Sequence, residues 1–273
     1  MNTMQPLADW PLAARRQVRG VFTDIDDTLT TAGVLDGAAR AALQALHEAG
    51  IAVIAITGRA VGWCSPKAGD WPVVAMGAEG GAVLLLPPKA GDGAPPRKLY
   101  LHDAETRAQH QARLQAVTQQ VLKQVPGVRI AAGAEGRETD IAFDHHEFAQ
   151  LSPQQLAQVR AILLHAGLNV AASSIHIHGC VGAHDKFAGA RWIVRTLYGR
   201  DLETELAHWA FVGDSPNDES MFRAFDGTAI GVANVRDSAG TLKHWPRYVA
   251  PGERGTGFAE VARALIEAHA PQA

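Results

Sequence analysis

The 273-residue sequence contains only two cysteines, Cys64 and Cys180. Two thiols cannot build a disulfide framework and form no metal-ligand pattern, so they read as free thiols of a reducing compartment. An excess of one charge is also missing. Lys plus Arg is 25 and Asp plus Glu is 28, a formal net charge of -3. A nucleic-acid-binding face would need a basic stripe, so no nucleic-acid partner is expected. No apolar run is long enough to span a bilayer. Residues 1–20 lack the continuous apolar stretch of a signal peptide. The expectation is a cytoplasmic protein with no membrane partner, a monomer or a small homo-oligomer. No internal repeat is present. The hydrophobic fraction of 47% fits a soluble globular chain with one or two domains.

Short apolar runs alternate with helical stretches. Residues 18–23 read as a strand that ends in acidic residues, and 36–49 as a helix stopped by Gly50. Residues 51–56, Ile-Ala-Val-Ile-Ala-Ile, form a continuous apolar run, as expected for a strand covered on both faces. Residues 73–76, 210–213, 229–232 and 248–249 read as further strands, with a helix over 186–198. This order predicts an α/β fold, a doubly wound parallel sheet of Rossmann-like type. The middle of the chain differs. A helix over 103–124, strands at 128–132 and 139–144, a helix from Ser152-Pro153 to Gly167, and strands at 168–172 and 175–179 give an αββαββ unit. The expected division is a core of residues 1–84 and 182–273 with an α+β cap of residues 85–181. The Pro- and Gly-rich segment 87–98 reads as a hinge or boundary.

The strongest chemical signal is Phe22-Thr-Asp24-Ile-Asp26-Asp27-Thr28-Leu29-Thr30. Three carboxylates follow an apolar strand, where open α/β sheets collect ligands. The bland alternative is an acidic turn that caps the next helix. Packing acids together is costly without a cation. A hard divalent ion with oxygen ligands answers that cost, and magnesium suits a site that phosphate completes.

The pattern Asp24-Ile25-Asp26-Asp27-Thr28 resembles the first motif, Asp-x-Asp-x-Thr, of the haloacid dehalogenase superfamily. The other motifs are similar and stand in order: Thr57 in Ile56-Thr57-Gly58-Arg59, Lys186 in His184-Asp185-Lys186-Phe187, and Gly213-Asp214-Ser215-Pro216-Asn217-Asp218. An αββαββ insert between the second and third motifs resembles the subclass with a large α/β cap, which includes sucrose-phosphate, trehalose-phosphate and mannosyl-3-phosphoglycerate phosphatases. The turn Gly77-Ala-Glu-Gly-Gly81 resembles that subclass's Glu-Asn-Gly-Gly turn but lacks its Asn. Thr30 stands where an apolar residue is common.

The resemblance implies a magnesium-dependent phosphatase acting on a small phosphorylated metabolite, a sugar or glycosyl phosphate first. Asp24 would attack phosphorus and form an aspartyl-phosphate. Asp26 would protonate the leaving alcohol and then activate water. Magnesium would be held by the Asp24 and Asp214 carboxylates and the Asp26 backbone carbonyl, with Asp218 a further ligand or a neighbour. Thr57, Gly58, Lys186 and Asn217 would bind the phosphoryl group. Arg59 is read equally as a phosphate contact or a salt bridge at the core–cap boundary. A catalytically silent metabolite-binding protein, and a phosphotransferase or mutase using the same aspartyl-phosphate, stand as alternatives.

Strand periodicity adds an expectation for the cap. Ile141 and Phe143 share one face of their strand, and Asp140 and Asp144 the other. Ile175 and Ile177 share one face of theirs, and His176 and His178 the other. The polar set, Asp144, His176 and His178, is expected to select the leaving group. Seven of the twelve histidines lie in 85–181, but none stands at structural zinc spacing. Asp185 reads as a helix N-cap, and Trp192 as a packing residue.

Overall fold

The computed structural model describes residues 4–89, 93–146, 148–172 and 175–270. Nine strands among the described residues form one sheet, in the order Gln5–Pro6, Tyr248–Val249, Ala229–Gly231, Trp209–Gly213, Gly20–Thr23, Ala52–Ile56, Ala75–Ala78, Val83–Leu86 and Arg97–Tyr100. The first seven are parallel, and the last two turn back antiparallel. Gly20–Thr23 lies in the middle and is buried along its whole length. That explains why its sequence is apolar without alternation. One face packs Leu43, Leu46, Val61 and Phe258 from the helices Gly37–Glu48, Val61–Ala68 and Arg254–His269. The other packs Ile193, Val194 and Phe222 from Lys186–Tyr198 and Glu219–Ala224.

The helix starts are specified locally. Asp103 accepts a hydrogen bond from the Thr106 N–H, and Asp185 accepts one from the Ala188 N–H. Ser152 and Gln155 form a reciprocal capping box. Each such cap contributes about 1 kcal/mol. Asp36 occupies a cap position without a capping bond, its carboxylate accepting from the Thr31 hydroxyl instead.

The inserted unit has its own antiparallel sheet, in the order Leu168–Ala172, His176–Val181, Asp140–Asp144 and Arg129–Ile130. Helices Ala104–Gln124 and Pro153–His165 cover one face, where Leu114, Val121, Leu163, Phe143 and Ile177 are packed. The sheet of the core does not stop at residue 84. The hairpin Val83–Leu86 and Arg97–Tyr100 extends it, so segment 87–98 joins two strands of one sheet. Residues 90–92 of that segment lie outside the described residues. No helix among the described residues is long and apolar enough to cross a membrane.

Candidate active site

The carboxyl ends of the central strands converge. Asp24 follows Gly20–Thr23, Thr57 follows Ala52–Ile56, and Asp214 follows Trp209–Gly213. Asp24, Asp214 and Asp218 each bring one carboxylate oxygen within 4.8 Å of the others, and all three are buried. Lys186, the first residue of its helix, donates to Asp24 Oδ1 and to Asp218 Oδ1, both at 2.6 Å. The second oxygen of Asp218 accepts from the N–H groups of Asp214 and Ser215 at 3.0 and 3.1 Å.

Three acids around one ammonium leave charge uncompensated. Burial, only partly offset by Lys186, pushes the Asp24 carboxyl up to about 7, with Asp218 and Asp26 adding to the rise. Asp214 is also held well above the usual carboxylate range, by burial and by Asp24 and Asp218. Burial alone would pull Lys186 down; Asp218 and Asp24 outweigh it and hold the ammonium above its ordinary value. An all-oxygen set of carboxylates that raise one another's pKa fits a hard divalent cation.

A further layer fixes Asp214. Its Oδ1 accepts from the Thr28 hydroxyl at 2.8 Å, and its Oδ2 accepts from the Asn234 amide at 3.1 Å. Asn234 also donates to the Asp27 carbonyl at 3.0 Å and accepts from the Arg254 N–H at 3.0 Å. The sequence reading passed over Asn234, although it follows strand Ala229–Gly231 at the same sheet edge. That position was the available signal.

Thr57 is 1% exposed, and its hydroxyl accepts from the Arg59 N–H at 3.1 Å. Arg59 grips Asp26 with two bonds, Nε to Oδ2 at 2.9 Å and Nη2 to Oδ1 at 3.0 Å. This ion pair lies within the core rather than at its boundary with the insert. The guanidinium also lies 5.2 Å from the centre of the Trp63 ring, and Lys67 stands 3.8 Å from that ring. Asn217 accepts from the Ser215 hydroxyl at 2.8 Å and faces a narrow recess shared with Asp24, Asp26, Gly58 and Arg59.

The insert closes this recess. His176 and His178 line it, on the sheet face opposite Phe143 and Ile177. His178 lies directly above Gly58, where a Cβ would stand 3.3 Å from its ring. Burial first, then Arg137 and Lys186, hold His178 well below its ordinary pKa, so the imidazole is neutral. Its Nδ1 is 3.4 Å from Asp140 Oδ2. Asp140 in turn is held by Arg137 Nη1 at 2.6 and 2.9 Å. Arg137 and Asp140 were not among the expected site residues. Asp144 is buried, and its carboxylate accepts the N–H groups of His146, Phe148 and Ala149. The recess opens into a cavity of about 770 Å³, lined by Asn169, Asp140, His178, Ser215 and Thr241 among others, with no Phe, Tyr or Trp among the described lining residues.

No protein-family model and no curated protein sequence matches the chain. Solved structures do. A Thermoplasma acidophilum protein is 17% identical with a TM-score of 0.68, covering 91% of this chain and 98% of that one. The C-terminal domain of Candida albicans trehalose-6-phosphate phosphatase is 16% identical with a TM-score of 0.65, covering 97% and 99%. The sucrose-phosphatase of Synechocystis, in complex with sucrose and phosphate, is 14% identical with a TM-score of 0.60, covering 92% and 98%. These likenesses establish the fold: an α/β core carrying an inserted antiparallel α/β unit.

Proposed function

We propose that the protein is a magnesium-dependent phosphomonoester hydrolase acting through an aspartyl-phosphate on a sugar or glycosyl phosphate. The observation that carries the reaction is the buried Asp24 carboxylate, paired at 2.6 Å with Lys186 inside a cluster of acids at the carboxyl edge of the sheet. One of its oxygens is held by Lys186, and the other takes no hydrogen bond among the described residues. In the first step an Asp24 oxygen forms a bond to phosphorus as the bond to the leaving oxygen breaks. Asp26 gives that oxygen a proton, so the product leaves as an alcohol. In the second step Asp26 takes a proton from water, the water oxygen bonds to phosphorus, and Asp24 is released with inorganic phosphate. Splitting one displacement into two lowers each barrier. Lys186, Thr57 and the N–H groups around Gly58 and Asn217 would orient the phosphoryl oxygens. Magnesium, held by Asp24, Asp214 and the Asp26 carbonyl with Asp218 alongside, would supply neutralising charge for the transferring group.

The substrate class is supported by the cavity. Its walls offer hydrogen-bonding groups and, among the described lining residues, no Phe, Tyr or Trp on which a base could stack. A neutral His178 is suited to a hydroxyl rather than to a second anion. The inserted unit would act as a cap that reads the leaving group. Two structural neighbours are named for sugar-phosphate hydrolysis, which agrees with this reading. The test is a magnesium-supplemented screen of phosphorylated metabolites with Asp24→Asn as control. Phosphate release is expected from polyol and sugar esters in the wild type alone. Absence of release from every ester, aryl phosphates included, would refute the reaction, and a nucleotide as best substrate would refute the substrate class.

A further inference from the structure

One short stretch of the insert collects its ties to the core. Residues 136–139 are bound by three core stretches, 58–62, 79 and 98–100. Gly136 lies so close to Gly62 that a Cβ on it would stand 2.8 Å from the Gly62 Cα. Arg137 Nη2 donates to the Gly58 carbonyl at 3.1 Å. Lys98 and the Tyr100 hydroxyl each donate to the Glu138 carboxylate at 2.6 Å. Glu79 makes the densest contact. Its carboxylate accepts the Glu138 N–H at 3.0 and 3.1 Å, the Thr139 N–H and hydroxyl at 2.6 Å each, and the Val61 N–H on the core side at 3.1 Å.

Glu79 is 3% exposed and has φ +52. A glycine takes that conformation without strain and a glutamate does not. Its side-chain bonds are what hold it there. The Val61 contact is buried and those to Glu138 and Thr139 are half-buried, so loss of this acceptor leaves these N–H groups poorly satisfied. Arg137 precedes and Asp140 follows the pair of residues that Glu79 grips; Arg137 holds Asp140, whose Oδ2 lies 3.4 Å from His178 Nδ1 without a hydrogen bond, and strand Asp140–Asp144 pairs with the strand that carries His178 above Gly58. On the core side the Glu79 N–H donates to the Arg59 carbonyl and the Gly80 N–H to the Thr57 carbonyl. One carboxylate thus joins the phosphate-binding turn to the strand that carries the cap's polar face.

We infer that Glu79 is a positioning residue that seats cap segment 136–140 and thereby sets His178 over Gly58, governing which leaving group is accepted while phosphoryl transfer stays with Asp24. This rests on the proposed reaction. The seat also responds to protons. Burial, then Asp140, push the Glu79 carboxyl up to about 7, against the lowering effect of Thr139, Arg137 and Val61. The other ionisable groups facing it are Glu138 and Lys98 on the outer side and Cys64 beneath. As pH falls through about 7, one oxygen turns from acceptor to donor and opposes the N–H groups it had been receiving.

The test is Glu79→Gln in the full chain, whose amide also presents donors to donors. Two readouts are needed: hydrogen exchange at the amides of Glu138 and Thr139, and kcat/KM for the best sugar phosphate divided by that for p-nitrophenyl phosphate. Exchange is expected to quicken about tenfold or more, and the ratio to fall about tenfold, with aryl phosphate hydrolysis changed by less than about twofold. In the wild type the ratio should drop between about pH 8 and pH 6; in the variant it should stay flat. Unchanged exchange at both amides, or equal loss on both substrates, overturns the inference. Thr139→Val removes only the hydroxyl bond and serves if the first variant does not fold. It should shift both readouts the same way by less, and no shift in either overturns the inference. If no ester is hydrolysed, the reaction reading fails, and the exchange readout decides the seat by itself.

Discussion

Replacing Lys186 by Met keeps the length and apolar stem of the side chain and removes its charge. Lys186 is 4% exposed and is bonded at 2.6 Å to both Asp24 and Asp218. The variant leaves Asp24, Asp214 and Asp218 buried together with no cation in their midst. Removing one partner of a buried ion pair costs about 3–5 kcal/mol. For a chain of this size that is a fall in Tm of roughly 6–20 °C, taking about 2–4 °C per kcal/mol. The assay is thermal unfolding in EDTA at about pH 8, compared with the wild type, and repeated with magnesium. An ion at about a hundred times its Kd returns about 2.7 kcal/mol. Magnesium should therefore recover a large part of the loss.

The pH dependence has a definite sign. Asp24 has a folded pKa of about 7, above its ordinary 3.8, so ionising it penalises the folded state. That penalty is absent below the ordinary value and fully present above the folded one. Without Lys186 the folded value rises further and the penalty at alkaline pH grows. The deficit relative to wild type must therefore shrink on acidification through about 7. Equal Tm values in EDTA at alkaline pH, or a deficit that widens on acidification, would refute the reasoning.

Four more outcomes are expected. Asp24→Asn should abolish turnover by orders of magnitude with little change in Tm, and retention of more than a few per cent of activity sinks the nucleophile assignment. EDTA should stop hydrolysis, and Asn234→Ala, which frees Asp214 Oδ2, should raise the magnesium needed for half-activity by about tenfold or more; an unaltered magnesium titration argues against the role of Asn234. Replacing His176 and His178 together by Ala should cut kcat/KM for the best sugar phosphate by about tenfold while sparing an aryl phosphate, and equal losses on both count against a recognition role. Gly189→Ala should lower stability by about 1–3 kcal/mol in urea unfolding, because the new Cβ meets the Gly80 carbonyl and stands 2.9 Å from the Gly81 Cα; a neutral effect means the helix can shift at no cost.

Features fixed by neighbours in sequence were legible. Strand alternation placed Phe143 and Ile177 against the helices and His176 and His178 on the other face. The caps at Ser152 and Asp185 follow from local chemistry and are present. Features fixed by distant partners were not. The Pro- and Gly-rich segment 87–98 marks a turn, but nothing local says that Arg97–Tyr100 returns to pair with Val83–Leu86. Asp144 belongs to the polar face by alternation, yet backbone N–H groups two to five residues ahead occupy its carboxylate. Glu79 sat in a recognisable turn, but its partners Glu138 and Thr139 lie about sixty residues away, just before a strand with no motif of its own. The hairpin Thr30–Thr31 and Val34–Leu35 is too short to give a periodic signal.

The central place of strand Gly20–Thr23 has a consequence for how the chain is made. One edge of that strand pairs with Ala52–Ile56 and the other with Trp209–Gly213. During synthesis the first partner follows within a few dozen residues, and the second emerges only after the whole insert. Until then an apolar strand edge stands open, the situation in which nascent chains stray into the wrong pairing. The reacting groups wait as long. Lys186 lies 162 positions from Asp24, and Asp214 lies 186 from Thr28. The acidic site can therefore be completed only after the chain has been made as far as Asp218.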